Sequence, residues 1–341
     1  MSRLKQPGYE LDTAFIPAHY QPALLVELAI ARGADSRQLL RGTRLSLADL
    51  ESHEVPLSPD QFLTLIGNTE KLLDADDSSF MFGQQLLPGF YGACSQTLQM
   101  AGSCRQLVEF MCEFKAVLSP LITPRFYETD EGLVIYWQDS CGADTRYRFI
   151  LEASIAAFAS LLDWLSPEKI CCRYEFNYTE PDYIEQYWVH IGQNLSFDQQ
   201  MNAIIVPTEK LDMNWTITRK LPFKGTVNSA RVQLMQLGWH ESFVDQVYQY
   251  LMAHIREPIN LDRVSTAFML SPASMKRKLK KHHTHFQQLL DLARKNTAIY
   301  LYQAQKYDLQ QIADYLCFND MNNFRRAVKR WTGFSPNVLF A

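Results

Sequence analysis

Apolar residues recur at helical spacing through the first third of the chain. Leu24, Leu25, Leu28 and Ala29 form one stripe. Phe62, Leu63, Ile66 and Leu73 form another, after the capping sequence Ser58-Pro59-Asp60-Gln61. Ser103 opens a third, with Leu107, Phe110, Met111, Phe114 and Leu118 inward, and Gly83, Pro88-Gly89 and Gly92 mark the turns between them. Near Pro120 the period changes. Ile122 to Glu128 and Leu133 to Gln138 read as strands joined by Thr129-Asp130-Glu131-Gly132, a hairpin connection. A long helix is predicted from about Asp144 to Leu165, a third strand from Ile170 to Tyr178, and a short helix from Asp182 to His190. Strand-like pieces follow at Leu195-Ser196-Phe197 and Ala203 to Val206. The order β-β-α-β-α-β-β suits one mixed sheet backed by helices.

The flanks complete this outline. Residues 1–20, with Pro7, Gly8 and Pro17, read as a loosely held leader ahead of an N-terminal region over 21–225, helical to 119 and α+β from 120. Residues 226–257 read as a bridge. Val227, Ala230, Leu234 and Leu237 precede Gly238, and Phe243, Val247, Leu251 and Ile255 follow it. Such a stripe packs within its own chain or forms a dimer seam. Pro258 forces Glu257 out of helical geometry, which sets the expected domain boundary there.

From 258 to 341 one pattern is written twice. The first copy is Asn260-Leu261-x-x-Val264, a turn, then Ser271-Pro272-x-x-Met275-x-x-x-Leu279. The second is Asp308-Leu309-x-x-Ile312-Ala313, a turn, then Asn319-Asp320-x-x-x-Phe324-x-x-x-Val328. Each reads as a capped short helix, a break, and a second capped helix, which is the grammar of a helix-turn-helix. With Met275 and Leu279 inward, Ala273, Lys276, Arg277, Lys280 and Lys281 face out. With Phe324 and Val328 inward, Met321, Asn322, Arg325, Arg326 and Lys329 face out, and Arg330 adjoins them. Arginine and asparagine can pair bidentately with base edges, whereas lysine mostly neutralises phosphate. A solvated basic face explains one such helix; a repeat of two points to DNA. Between the copies Leu289, Leu290, Ala293, Thr297 and Leu301 make one stripe over 286–303. That helix would be about 27 Å long, against about 34 Å between successive major grooves, so one chain could reach both.

These residues resemble the AraC/XylS family of transcriptional regulators. The carriers are Phe318-Asn319-Asp320-Met321-Asn322-Asn323-Phe324-Arg325-Arg326-Ala327-Val328-Lys329-Arg330-Trp331-Thr332-Gly333-Phe334-Ser335-Pro336, with Arg294 and Ala298 upstream. The resemblance implies that Ala273, Lys276 and Arg277 enter one groove and Met321, Asn322 and Arg326 the next, with RNA polymerase as a partner. This chain departs from the pattern at the turn glycines, which are Met269 and Cys317 here, and at Ser265, where alanine is usual. Phe90-Tyr91-Gly92-Ala93, Phe197-Asp198 and Leu211-Asp212 are similar to one subgroup, whose N-terminal region senses a small molecule and supports dimerisation.

Charge sharpens the division. The 341 residues carry a net charge of −4, but from Glu257 onward 13 Lys/Arg stand against 6 Asp/Glu, a net +7, and the rest carries −11. The seven cysteines show no C-x-x-C and no zinc-like spacing with histidine, which fits reduced thiols in a cytoplasmic protein; a redox switch at Cys171-Cys172 is the alternative. No signal peptide opens the chain, and the run Ile150 to Leu165, holding Glu152 and Asp163, is too short to span a bilayer.

Arginines alternate with aromatics in the α+β unit. Arg125, Tyr136, Arg146, Arg148 and Tyr174 are the candidates for binding an apolar carboxylate or amino-acid-like effector; the plainer reading makes the aromatics core and the arginines surface. His282-His283-Thr284-His285 is assigned to phosphate contact or solvent rather than metal. No nucleotide-binding, zinc-protease or serine-hydrolase motif occurs, and no cofactor is implied. The sequence thus reads as an α+β sensing region, a helical bundle plus a small mixed sheet, followed by an all-α tandem helix-turn-helix. The expected function is a DNA-binding regulator, an activator and homodimer answering to an effector. Its rivals are a protein-interaction module that has lost DNA contact and an enzyme with an attached regulator.

Overall fold

The computed structural model describes residues 7–215, 220–334 and 336. β1 (Ile16–Pro17) leads to α1 (Gln21–Ala31), α2 (Ser36–Leu39) and α3 (Leu47–Glu51), and β2 (Pro56–Leu57) pairs antiparallel with β1. α4 (Pro59–Leu73) opens with the expected capping box: Gln61 N donates to Ser58 Oγ at 3.3 Å, and Ser58 N donates to Gln61 Oε1 at 2.9 Å. α5 (Ser78–Leu86), α6 (Ala93–Gln99), α7 (Cys104–Glu113) and α8 (Lys115–Leu118) complete the helical part.

The sheet contains β3 (Ile122–Glu128), β4 (Gly132–Asp139), β5 (Arg173–Glu175), β6 (Leu195–Ser196) and β7 (Ala203–Pro207), in the order β3-β4-β7-β5-β6. β5 and β6 run parallel and the other neighbours antiparallel, so the sheet is mixed. α9 (Tyr147–Leu165), entered through a 3-10 turn at Asp144–Arg146, packs against α5; a Cβ at Gly83 would lie 2.4 Å from the Ala153 carbonyl, so only glycine permits this approach. α10 (Ile184–His190) and α11 (Thr208–Leu211) close the unit. The third strand is shorter than the pattern suggests, because Cys172 N turns back to the Ile170 carbonyl and delays pairing until Arg173.

The expected leader is not loose. Residues 1–6 lie outside the described residues, but Tyr9, Leu11, Phe15 and Ile16 are all buried. Tyr9 N donates to the Glu241 carbonyl and Phe243 N to the Tyr9 carbonyl, at 3.1 and 2.8 Å. Proline and glycine shape the segment's turns, but its apolar side chains find walls on both sides.

The bridge divides between two cores. α12 (Lys220–Leu237) places Val227, Ala230 and Leu234 in the N-terminal core, whereas α13 (Phe243–Ala253) places Val247, Tyr248 and Leu251 in the C-terminal one. That second core is shared with α14 (Leu261–Ala267), α15 (Pro272–Lys281), α16 (Phe286–Gln303), α17 (Leu309–Tyr315) and α18 (Met321–Thr332). The cores therefore part near Gly238, ahead of Pro258. Proline ends a helix, but the stripe before it goes on packing.

A third, small cluster joins the halves. Val134, Ala203 and Ile205 on one sheet face, with Met201 just ahead of β7, cover Ile299 of α16, flanked by Tyr127 and Tyr136. The opposite face buries Leu133, Ile135 and Trp137 in the N-terminal core. β4 is apolar on both faces because both are covered.

Candidate nucleic-acid interface and its regulatory contacts

Four caps fix the two helix pairs. Asn260, Ser271, Asp308 and Asp320 each accept a hydrogen bond from the backbone N–H three residues on, which starts α14, α15, α17 and α18. The two turns match bond for bond. Met269 N donates to Thr266 O and Leu270 N to Ser265 O, as Cys317 N does to Asp314 O and Phe318 N to Ala313 O, all within 2.9–3.1 Å. Met269 (φ 54°) and Cys317 (φ 58°) take the left-handed conformation usually given to glycine. Their missing glycines change the strain in the turn and leave its shape intact.

On α15, Ala273, Lys276, Arg277 and Lys280 are exposed; on α18, so are Asn322, Arg325, Arg326, Lys329 and Arg330. Among the described residues no ion pair holds Lys276, Arg277, Lys280, Arg325, Arg326 or Lys329. α16 connects the pairs as an 18-residue helix, about 27 Å of rod. Three expected contacts differ. Lys281 pairs with Glu10 at 3.2 Å and with Asp12, so the N-terminal segment already occupies it. Arg330 donates from Nε and Nη2 to Asp291 of α16, at 2.9–3.2 Å, which braces α18 on the rod. Met321 is only half-exposed and leans on the C-terminal core. Lys278, which the pattern did not single out, is also held by Glu10.

Two of the three histidines are structural. His282 is buried, with Nδ1 3.1 Å from the Cys141 carbonyl. A Cβ at Gly142 would fall 2.3 Å from the His282 carbonyl, so the end of α15 lies against the 139–143 turn. His285 Nδ1 accepts from Gln288 N and caps α16. The assignment of this run to phosphate contact is therefore corrected for these two, since interdomain packing and capping occupy them.

The effector candidates do not converge on one cavity. Arg125 and Tyr136 are cross-strand partners in β3–β4, where Arg125 Nη2 donates to Asp245 of α13 at 3.0 Å. Arg146 pairs with Glu70 at 2.8 Å. Arg148 Nε donates at 3.0 Å to the buried Glu152, which also accepts from Ser79, Tyr183 and Tyr187, and its guanidinium lies 4.4 Å over the Tyr178 ring. Tyr174 is a buried sheet residue. Internal ion pairs consume the arginines: Arg125 and Arg146 face carboxylates distant in sequence, and Arg148 faces one a single turn on along α9. Asp245 itself escaped the sequence reading, and only its place in the first turn after Ser242 hints at more than a solvated charge.

Residues 33–214, more than half of the chain, match the arabinose-binding N-terminal domain of AraC transcription regulators. The chain belongs to the AraC family of transcription regulators. Residues 264–341 match a helix-turn-helix domain. The ornithine utilization regulator of Pseudomonas aeruginosa is 24% identical over 98% of both chains. The regulator AdiY of Escherichia coli is 27% identical over 31% of this chain and 42% of its own. The crystal structure of the Pseudomonas aeruginosa regulator CdpR is 17% identical and covers 76% of this chain and 85% of its own, with a TM-score of 0.37. This AraC-family protein is a DNA-binding transcriptional regulator. All seven cysteines are free, and no described helix is long and apolar enough to cross a membrane.

Proposed function

We propose that this AraC-family protein activates transcription in the cytoplasm in response to a small amino-acid-like carboxylate, placing α15 and α18 in successive major grooves of its operator. The observation that carries this reading is the pair of like-turned, capped helices on one rod, with Arg277 and Arg326 exposed and outside ion pairs among the described residues. Arg277 and Arg326 read bases; Lys276, Lys280, Arg325 and Lys329 hold phosphates. Homodimerisation and contact with RNA polymerase follow the family. The effector class is favoured by the end-to-end match to a relative named for ornithine utilization. Strain-bearing turns of ordinary shape weaken the rival of a repeat without DNA contact, since missing glycines were its main ground.

Titrating the protein against promoter fragments and random genomic DNA at fixed moderate salt tests the reading. Preference for particular fragments, strengthened or weakened by an amino acid or organic acid, is expected. Equal binding to all DNA, with no effect of any acid, overturns it.

A further inference from the structure

We propose that Lys115, Thr123 and Arg125 form a carboxylate-binding socket, filled here by Asp245 of the DNA-binding half, and that an effector's carboxylate takes that place. The inference rests on the effector-responsive reading above and gives it a location.

Asp245 is fully buried, in the first turn of a helix whose apolar face belongs to the C-terminal core. Every donor around its carboxylate named here comes from the other half of the protein. Lys115 Nζ of α8 lies 2.9 Å from Oδ2, Thr123 of β3 donates to the same oxygen, and Arg125 Nη2 lies 3.0 Å from Oδ1. The socket is preorganised. Arg125 Nε is fixed by Gln138 Oε1 of the neighbouring strand at 3.0 Å, whereas the Tyr248 ring, 4.7 Å from its guanidinium, belongs to α13 and leaves with Asp245. Two cations and a hydroxyl in a shielded place suit a carboxylate, and suit an empty state badly, because an unpaired buried charge is costly.

A route from solvent reaches the socket at Lys115. A crevice of about 750 Å³ runs between the end of α12 and α13, and Lys115 and Glu241 both line it. Lys115 stands 4.0 Å from Glu241 and is the less exposed of the two, so the cation lies inward and the acid outward. Leu234 and Met235 give the crevice an apolar wall, and Glu113 adds a second acid. A zwitterion fits this order: carboxylate inward on Lys115, ammonium outward near Glu241, a short apolar body between. Exchange keeps Lys115 and Arg125 paired while Asp245 leaves for water. α13 must then move, and the DNA-binding half is released from the sheet. The direction of control follows from what that half can do once free.

The test uses the full-length protein with formate and acetate as probes. Asp245→Ala vacates the socket, and its Tm falls below that of the parent. At matched ionic strength, formate or acetate is expected to recover at least half of the lost Tm, chloride to recover little, and Lys115→Ala added to the variant to abolish the recovery. Should Asp245→Ala not fold, Asp245→Ser, whose short side chain also leaves the socket open while keeping a polar group in the first turn, gives the same comparison of carboxylate with chloride. No difference between carboxylate and chloride overturns the socket. An amino acid that shifts the Tm of the parent and of Lys115→Ala equally also overturns it, while leaving the effector-responsive reading standing. Carboxylate rescue with no response of the parent to any amino acid or acid supports the socket and counts against that reading instead.

Discussion

Glu10 Oε2 lies 3.2 Å from Lys281 Nζ, which ties the acidic N-terminal segment to the far end of α15. Asp12 on the same ammonium and Glu10 on Lys278 complete the contact. If α15 enters a groove as proposed, these carboxylates stand where DNA phosphates would compete. Partly exposed pairs of this kind are worth about 0–1 kcal/mol each. The double variant Glu10→Gln, Asp12→Asn should therefore bind DNA several-fold more tightly, with a salt dependence steeper by roughly 1–2 in log–log slope. Titrations at three salt concentrations check this, and an unchanged slope would show that neither lysine reaches phosphate.

Arg326 and Lys280 should fail differently. Arg326→Ala is expected to cost about 1–3 kcal/mol on the operator and little on random DNA, flattening preference at one base position. Lys280→Ala should weaken both kinds of DNA alike and lower the salt slope by about 0.9. Parallel titrations on operator and random duplex separate the roles; equal losses for Arg326→Ala would place it on phosphate.

Met269 carries a left-handed backbone with a side chain 85% exposed, so its replacement sacrifices little packing. Left-handed geometry costs a residue with a Cβ about 1–2 kcal/mol, partly offset by the extra unfolded-state freedom of glycine. Met269→Gly should be neutral or stabilising by up to about 1 kcal/mol, and Met269→Val destabilising by a similar amount. Denaturant unfolding measures both. A stabilising valine would mean that the turn relaxes out of positive φ.

Burial pushes the His282 imidazole below the ordinary histidine value of 6.5, against the opposing pull of the Cys141 carbonyl, Glu10 and Asp12. A base whose folded pKa is lowered binds protons more readily when unfolded, so stability falls as pH drops below about 6.5. His19 and His190 are shifted down by burial too, which makes a variant necessary. Unfolding free energy between pH 7.5 and 5.5 should decline less steeply in His282→Asn, whose amide can still meet Cys141. Identical slopes would place the linked proton elsewhere. Loss below about pH 3.8 belongs instead to carboxylates such as Asp12, held below that ordinary value by the hydrogen bond from the Lys281 ammonium.

Much of the tandem helix-turn-helix geometry was legible residue by residue. Ser271 with Pro272, Asp320 before Phe324, and the stripe Leu289-Leu290-Ala293 specify helices whose caps and faces depend on neighbours three or four positions away. The mixed sheet was readable for the same reason, through the alternation in Ile122 to Glu128 and the turn after it. β4 even carried a signal that went unused, since an apolar run on both faces calls for two covers.

The sequence by itself determined two capped helix pairs, the rod between them and the excess of positive charge that marks them for DNA, because each depends on contacts within a turn or two of the chain. The tertiary structure decided what the remaining charges do. Arg125 meets Asp245 across 120 positions, Lys281 meets Asp12 across 269, and His282 meets Cys141 across 141. No local pattern encodes such pairs: a charge looks solvated until folding removes its water and brings up the partner that replaces it.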